Sequence, residues 1–398
     1  MRFHTLADLN VAHKRVLVRE DLNVPLRREG DRQIVADATR IDATLPTLRA
    51  LRERAARVVV LSHLGRPDGH PDPAFSLSPV AEALAQRLDA PVAFAADCVG
   101  DVAKAAVDAL HDGDVLLLEN VRFHPGEERN DPAFAAELAQ LGDAYVDDAF
   151  GSAHRAHAST DALAHLLPNA AGPLMQAELA ALQPLMEHPA KPYLCVIGGA
   201  KVKDKIGVFM SLMERVDAFC IGGGMANTFL AAQGVNVGRS LRDDDLEPAR
   251  RILASSEQRG VAVHLPVDAI VATGFDADEG AHAVGIDAVG DGMILDIGTA
   301  TAAAYAHVIE RAKTIVFNGP MGVYEKPAYR SGTKAIGDAM ARATAAGATT
   351  VVGGGDAAAA AHLLGFADAM THVSTGGGAT LEFLEGKTLP GVAALMHA

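Results

Sequence analysis

The stretch YLCVIGGAK, residues 193–201, decides the fold. Five apolar residues run without the polar alternation of a strand that has one wet face, then stop at two glycines and a lysine. Such a run reads as a strand buried on both faces, its carboxyl end opening into a glycine turn. The punctuation recurs after AFCI (218–221), TIVF (314–317), TTVV (349–352) and THV (371–373), and AIVA (269–272) has the same apolar character. In the first half RVLV (15–18), RVVVL (57–61), VLLL (115–118) and AYV (144–146) read likewise. Segments of helical pattern, such as 78–88, separate these runs, so the expected class is α/β with doubly wound parallel sheets covered on both faces.

Ligands of such sheets bind beyond the carboxyl ends of the strands. In the first half those ends carry Arg19, Asp21 and Asn23, then His63 and Arg66, then Arg122, and finally DDAFGSAHRAHAST (147–160) with His154, Arg155 and His157. In the second half they carry Gly198, Gly199 and Lys201, then Gly222 to Gly224, Asn318 and Gly319, Gly353 to Asp356, and Gly376 to Gly378. Arginine forks make bidentate contacts to carboxylate or phosphate, whereas glycine turns let backbone N–H groups approach phosphate oxygens. One half is therefore expected to hold a small, highly charged anion and the other a nucleotide. The divide falls on the helical segment 172–185 ahead of Pro189 and Pro192, giving domains of 1–171 and 191–378 with 172–190 as connecting helix and hinge.

Composition narrows the function. The 398 residues are 49% hydrophobic, enough for two cores, and the net charge of −15 argues against a nucleic-acid partner. Local arginines still dominate a site in an acidic protein, because fields are screened beyond about 8 Å. The start, MRFHTLADLNVAHKRVLV, has no apolar signal core, and no 20-residue apolar span occurs, so neither secretion nor a membrane is expected. Cys98, Cys195 and Cys220 stand far apart without a CxxC, as in a reduced, cytoplasmic protein.

Several residues admit a plainer reading. Arg40 lies in an amphipathic segment, DATRIDATLPTLRALRER, where a charge is equally at home on the wet face. His154 and His157 are equally compatible with solvating their loop, and Lys203 with a solvated helix. GGGDAA (353–358) matches a dinucleotide-binding pattern, but the strand that follows ends in Ser374 and Thr375 without the required acid. That disfavours a dehydrogenase. A non-catalytic binder would have no need of Lys201 and Arg40 together.

Side by side and in order, REDLNVP, SHLGRP, ENVRFHPGEE, DDAFGSAHRAHAS, GGAKVKDKIGV, IGGGMANTFL, FNGPMGVYE, GGGD and STGGGATLEFLEGK resemble the phosphoglycerate kinases across nearly the whole chain. The resemblance implies two Rossmann-like domains joined by a helical hinge, with segment 379–398 packing back on the first. It implies 1,3-bisphosphoglycerate, 3-phosphoglycerate and ATP or ADP as substrates, Mg²⁺ as cofactor, and a cytoplasmic monomer. By motif, Asp21, Asn23, Arg40, His63, Arg66, Arg122 and Arg155 would hold phosphoglycerate. Arg40, Lys201, Gly354 and Gly377 would serve catalysis, and Gly376 to Gly378 would offer N–H groups to the moving phosphoryl. Gly199, Lys201, Lys205, Gly223, Gly292, Asn318, Glu325, Gly353, Gly354, Gly355 and Asp356 would bind nucleotide, with Asp356 meeting the metal. Two departures stand out: Ala357 occupies a position where the family commonly has Ser or Thr, and LRREGDRQIVADAT (26–39) is longer than in many bacterial relatives.

Overall fold

The computed structural model describes residues 3–277 and 280–396, and the chain divides into two compact units. The first comprises residues 1–179 and 388–398, the second residues 180–387. The first unit holds β1 (Arg15–Arg19), β2 (Leu26–Glu29), β3 (Arg32–Val35), β4 (Arg57–Leu61), β5 (Val92–Ala95), β6 (Val115–Leu118), β7 (Ala144–Asp147) and β8 (Asn169–Ala171). Six of these form one sheet in the order β5-β6-β4-β1-β7-β8, and every pairing in it is parallel. Val16, Val18, Val58, Val60 and Val146 are buried against Leu45, Leu48, Val80 and Leu84 of the covering helices. Unbroken β-branched runs suit this setting, since neither face meets water.

The second unit repeats the plan with β9 (Tyr193–Ile197), β10 (Ala218–Ile221), β11 (Ala262–His264), β15 (Thr314–Asn318), β16 (Thr349–Val352) and β17 (His372–Val373). Their order is β11-β10-β9-β15-β16-β17, again all parallel. Here the structure corrects one expectation. AIVA lies in β12 (Asp268–Ala272), which pairs antiparallel with β13 (His282–Gly285) and β14 (Met293–Ile297) in a separate small sheet. An apolar run records burial on both faces, not the direction of its neighbour. β2 and β3, inside the longer segment after Pro25, form a hairpin turned at Gly30, whose φ of +61° favours glycine.

The helix Pro173–Glu187 carries the chain from one unit to the other. The returning segment is shorter than expected: residues 379–387 cluster with the second unit, and only Thr388 onward joins the first. There the helix Pro390–Leu395 places Gly391 so close to Ala153 that a Cβ would sit 3.0 Å from its Cα. No helix among the described residues is long and apolar enough to cross a membrane.

Candidate active site

Because β6, β4, β1 and β7 are neighbours, their four carboxyl-end loops lie side by side. Asn23 Oδ1 accepts from Gly65 N at 2.9 Å, tying the β1 loop to the β4 loop. Arg122 Nη1 donates to Gly65 O at 2.7 Å and brings in the β6 loop. The helix Thr39–Glu53 is started by Asp37, which accepts from Thr39 N at 2.8 Å, and this sets Arg40 in the first turn. Arg40 Nη1 donates to Asp21 Oδ1 at 2.7 Å. From the β7 loop, Arg155 Nε donates to His154 Nε2 at 3.2 Å. Arg66 is exposed and, among the described residues, without an ion-pair partner.

Charge is what unites this set. His63 is buried, and desolvation, then Arg19, Arg122, Arg155 and Arg40, hold its imidazole well below the ordinary range. His157 is driven down to about 3, by burial first and then by Arg122, Arg19 and Arg155. Burial and Arg155 lower even Arg122, to about 10. Its Nε lies 3.2 Å from Glu128 but makes no aligned hydrogen bond. Four guanidinium groups focused on one imidazole, with Asp21 and Glu128 their only ion-pair partners among the described residues, make a pocket for a multiply charged anion.

Beneath the loops the sheet ends in buried acids. Burial lifts Asp147 to about 7 although Ala149 N and Arg19 oppose it, and lifts Asp148 to about 6 against bonds from Thr47 and Met175 N. A carboxyl raised on folding adds stability that is full below its unfolded value and is lost as pH climbs through the folded one. Asp147 Oδ2 has no partner, so Asn fits without loss of a bond. Asp147→Asn is expected to flatten the pH dependence of unfolding between about pH 4 and 7, a difference on the order of 4 kcal/mol for the full shift. Urea midpoints at pH 5 and 8 check this; equal pH slopes in variant and parent would refute it.

In the second unit β10, β9, β15, β16 and β17 are neighbours, and their glycine turns pack backbone on backbone. A Cβ on Gly198 would fall 2.0 Å from Pro320 O, and one on Gly319 would fall 2.4 Å from Gly198 O. Lys205 reaches into this layer: its Nζ donates to Gly198 O and Asn318 O, both at 2.7 Å. Burial lowers the ammonium to about 8 despite Cys195, Asp356 and Asp204. Asn318 Nδ2 in turn donates to Gly353 O at 2.7 Å. Beside these turns lies a cleft of about 530 Å³ whose wall includes Gly199, Gly223, Glu325 and Asp356, with Met293 and Leu295 of β14 supplying an apolar side.

Several residues stand apart from their sequence expectation. Gly292 precedes β14 without lining the cleft, and its carbonyl accepts from Arg239 N at 2.9 Å. Gly376 N donates to Ser374 Oγ at 3.1 Å, so that amide is already engaged. Lys201 is exposed, whereas Lys205 is partly buried and its Nζ is the cation held beneath the turn. Ala357 is buried in the core of the unit. Arg19 is read among the strand-end arginines of the anion-binding half but not among the residues the resemblance assigns to phosphoglycerate, and Glu127 and Ser159 are not singled out at all. Asp356 is an exposed carboxylate on the cleft wall, in the first turn of the helix Gly355–Leu363, as a metal arriving with phosphates requires. Asp97, Cys98 and His124 also gather ligand-type atoms within 4.8 Å. There the Asp97–His124 hydrogen bond of 2.7 Å and a thiol raised by burial leave nothing that calls for an ion.

Fold and sites define a class: a two-unit α/β phosphotransferase with an arginine-lined anion pocket on one unit and a glycine-lined cleft on the other. Comparison with known proteins agrees. The sequence pattern described as Phosphoglycerate kinase matches residues 6–387. The chain is 52% identical to a phosphoglycerate kinase of Methylorubrum extorquens (strain PA1), covering 99% of this chain and 98% of that one. It is also 52% identical to one of Chloroflexus aurantiacus (strain ATCC 29366 / DSM 635 / J-10-fl), covering all of both. A solved phosphoglycerate kinase from Coxiella burnetii superposes with a TM-score of 0.89 at 42% identity, covering 99% of each chain. The chain belongs to the phosphoglycerate kinase family, and its activity is the glycolytic phosphoryl transfer of that family.

Proposed function

We propose that the chain catalyses reversible transfer of a phosphoryl group between the acyl phosphate of 1,3-bisphosphoglycerate and MgADP, giving 3-phosphoglycerate and MgATP, by in-line transfer on hinge closure. The observation that carries this reading is the convergence of Arg19, Arg40, Arg122 and Arg155 on His63 in one unit. Asp21, Asn23, Arg40, His63, Arg66, Arg122 and Arg155 hold phosphoglycerate. Gly199, Gly223, Asn318 and Glu325 receive the nucleoside, with Glu325 accepting from ribose hydroxyls, and Lys205 and residues 353–356 take the phosphates. Asp356 fits the Mg²⁺ of the nucleotide complex, which supplies neutralisation of phosphate charge.

The acceptor in the ATP-consuming direction is a carboxylate, ionised at neutral pH, so no general base is needed. What the residues must do is position two anions and spread charge in the transition state. Arg40 and Lys201 supply fixed positive charge, and the Gly354 and Gly377 backbones supply donors that need no reorganisation. Glycine is required at the last two, whose φ values are +100° and +52°. The resemblance to the family supports a cytoplasmic monomer as the working form.

A coupled assay with 3-phosphoglycerate and MgATP tests the reaction; absence of turnover in folded protein would overturn it. Ligands held on two units react only after the connecting helix lets the units close. Small-angle scattering is therefore expected to show full compaction with both ligands present and partial or none with either alone. Identical compaction with nucleotide alone would contradict that gating.

A further inference from the structure

One buried cation of the first unit lies outside the proposed substrate set. Arg19 ends β1 and is 1% exposed, and each edge of its guanidinium is engaged. Nε donates to Ser159 Oγ at 2.8 Å, Nη1 to the Glu20 carbonyl, and Nη2 lies 3.1 Å from His63 Nδ1. Behind it, Ser159 Oγ donates to Glu127 Oε1 at 2.6 Å and Ser159 N to Glu127 Oε2 at 2.8 Å. Tyr145 Oη donates to Ser159 O at 2.8 Å and pins that backbone.

The direction of the contact between Arg19 and His63 follows from the donors each can offer. Guanidinium has donors only and stays charged. Ser159 spends its one hydroxyl proton on Glu127, so it accepts from Arg19 with a lone pair. His63 Nδ1 must accept too, and its ring proton is left on Nε2. We propose that Arg19 is a positioning residue that holds His63 as the neutral Nε2–H tautomer, presenting a hydrogen-bond donor rather than a switchable charge to the anionic substrate. This rests on the substrate role given to His63 above.

The surroundings agree from every side. The groups that act on His63 are Arg19 from β1, Arg122 from the β6 loop, Arg155 from the β7 loop and Arg40 from the helix Thr39–Glu53. Of the acids nearby, Asp21 is engaged with Arg40, Glu128 lies beside Arg122 and Glu127 bonds Ser159. Glu20 and Asp147 keep carboxyl oxygens without a partner, and burial pushes both above the ordinary carboxylate range. An ordinary histidine changes charge between pH 5 and 8; with Nδ1 committed to accepting from Arg19, this one is expected to stay neutral there and to contribute to phosphoglycerate binding independently of pH.

The test is nitrogen-15 NMR of the ligand-free full-length protein with labelled histidine, His63 assigned by loss of its signals in His63→Gln. The expected result is an unprotonated Nδ1 and a protonated Nε2, unchanged from pH 5 to 8. A protonated Nδ1, or a titration inside that window, overturns the proposal. Arg19→Lys keeps the charge but cannot hold Ser159 and His63 at once. It is expected to give mixed tautomers and to raise KM for 3-phosphoglycerate about 10-fold, the loss of one hydrogen bond to a charged group, with KM for MgATP unchanged. A tautomer still locked in Arg19→Lys overturns the positioning role. The NMR result stands whether or not the protein turns over, so it fails separately from the functional reading.

Discussion

Replacing Arg40 with alanine is expected to lower kcat about 10³-fold while leaving the affinity for MgATP within about twofold. The side chain sits where a cation is least favoured, in the first turn of the helix Thr39–Glu53, against the positive end of the helix dipole. Asp21 offsets this with one bond at 2.7 Å to Nη1. The side chain remains 37% exposed, so the guanidinium keeps further donors for an incoming anion. A cation held at a disfavoured position by one carboxylate is poised for negative charge that develops elsewhere. Its effect should therefore appear in the transition state rather than in nucleotide binding. Arg40→Lys keeps the charge and loses the fork, and an intermediate loss of about 10-fold is expected. Steady-state kinetics with varied 3-phosphoglycerate, beside calorimetric titration of nucleotide, separates the two quantities. Equal losses in kcat and nucleotide affinity would remove Arg40 from the transition state.

Gly223→Ala should weaken nucleotide binding about 10- to 100-fold and leave 3-phosphoglycerate binding intact. Gly223 has a φ of +65°, which an L side chain rarely adopts. A Cβ there would lie 2.8 Å from both Gly199 N and Gly199 O, and 3.0 Å from Pro320 O. All three are backbone atoms of adjoining turns, so no rotamer change relieves the clash. The turns after β9, β10 and β15 must separate, and the cleft wall with them, at a cost of about 1–3 kcal/mol. Gly274→Ala is the matched control, since it lies outside the proposed binding residues, its Cβ would meet nothing within 4 Å and its φ is not left-handed. Titrating each ligand into each variant gives the answer. Unchanged nucleotide affinity in Gly223→Ala would show that the packed glycine layer does not shape the site.

Much of the site was legible because strand ends in a parallel sheet advertise themselves. RVLV followed by REDLN, RVVVL followed by SHLGR and YLCVI followed by GGAK each pair a buried run with residues that burial alone does not explain. MILDI in β14, whose apolar run is broken by Asp296, escaped notice, and AIVA was placed in the wrong sheet. Both belong to an antiparallel sheet, and the pairing direction is a property of two segments that neither encodes alone. The hairpin of β2 and β3 is charged and exposed along most of β2 and only half-buried along β3, so no period of burial marked it. Lys201 and Lys205 are alike by local pattern. Only the fold shows that Lys205 bonds two carbonyls beneath the turn while Lys201 stays in water.

By itself the sequence determined the two α/β sheets, the division of labour between arginine-tipped and glycine-tipped strands, and the family. Burial pattern and backbone conformation are local, and a linear order of motifs is enough to read them. The tertiary structure decided which ends meet: the order β6-β4-β1-β7 sets the loops of Arg122, His63, Arg19 and Arg155 side by side. It also turned Arg19 inward, onto Ser159 and His63, where a strand-ending arginine could as well have faced solvent. Strand order and side-chain direction come from packing between segments far apart in the chain, and no single segment carries that information.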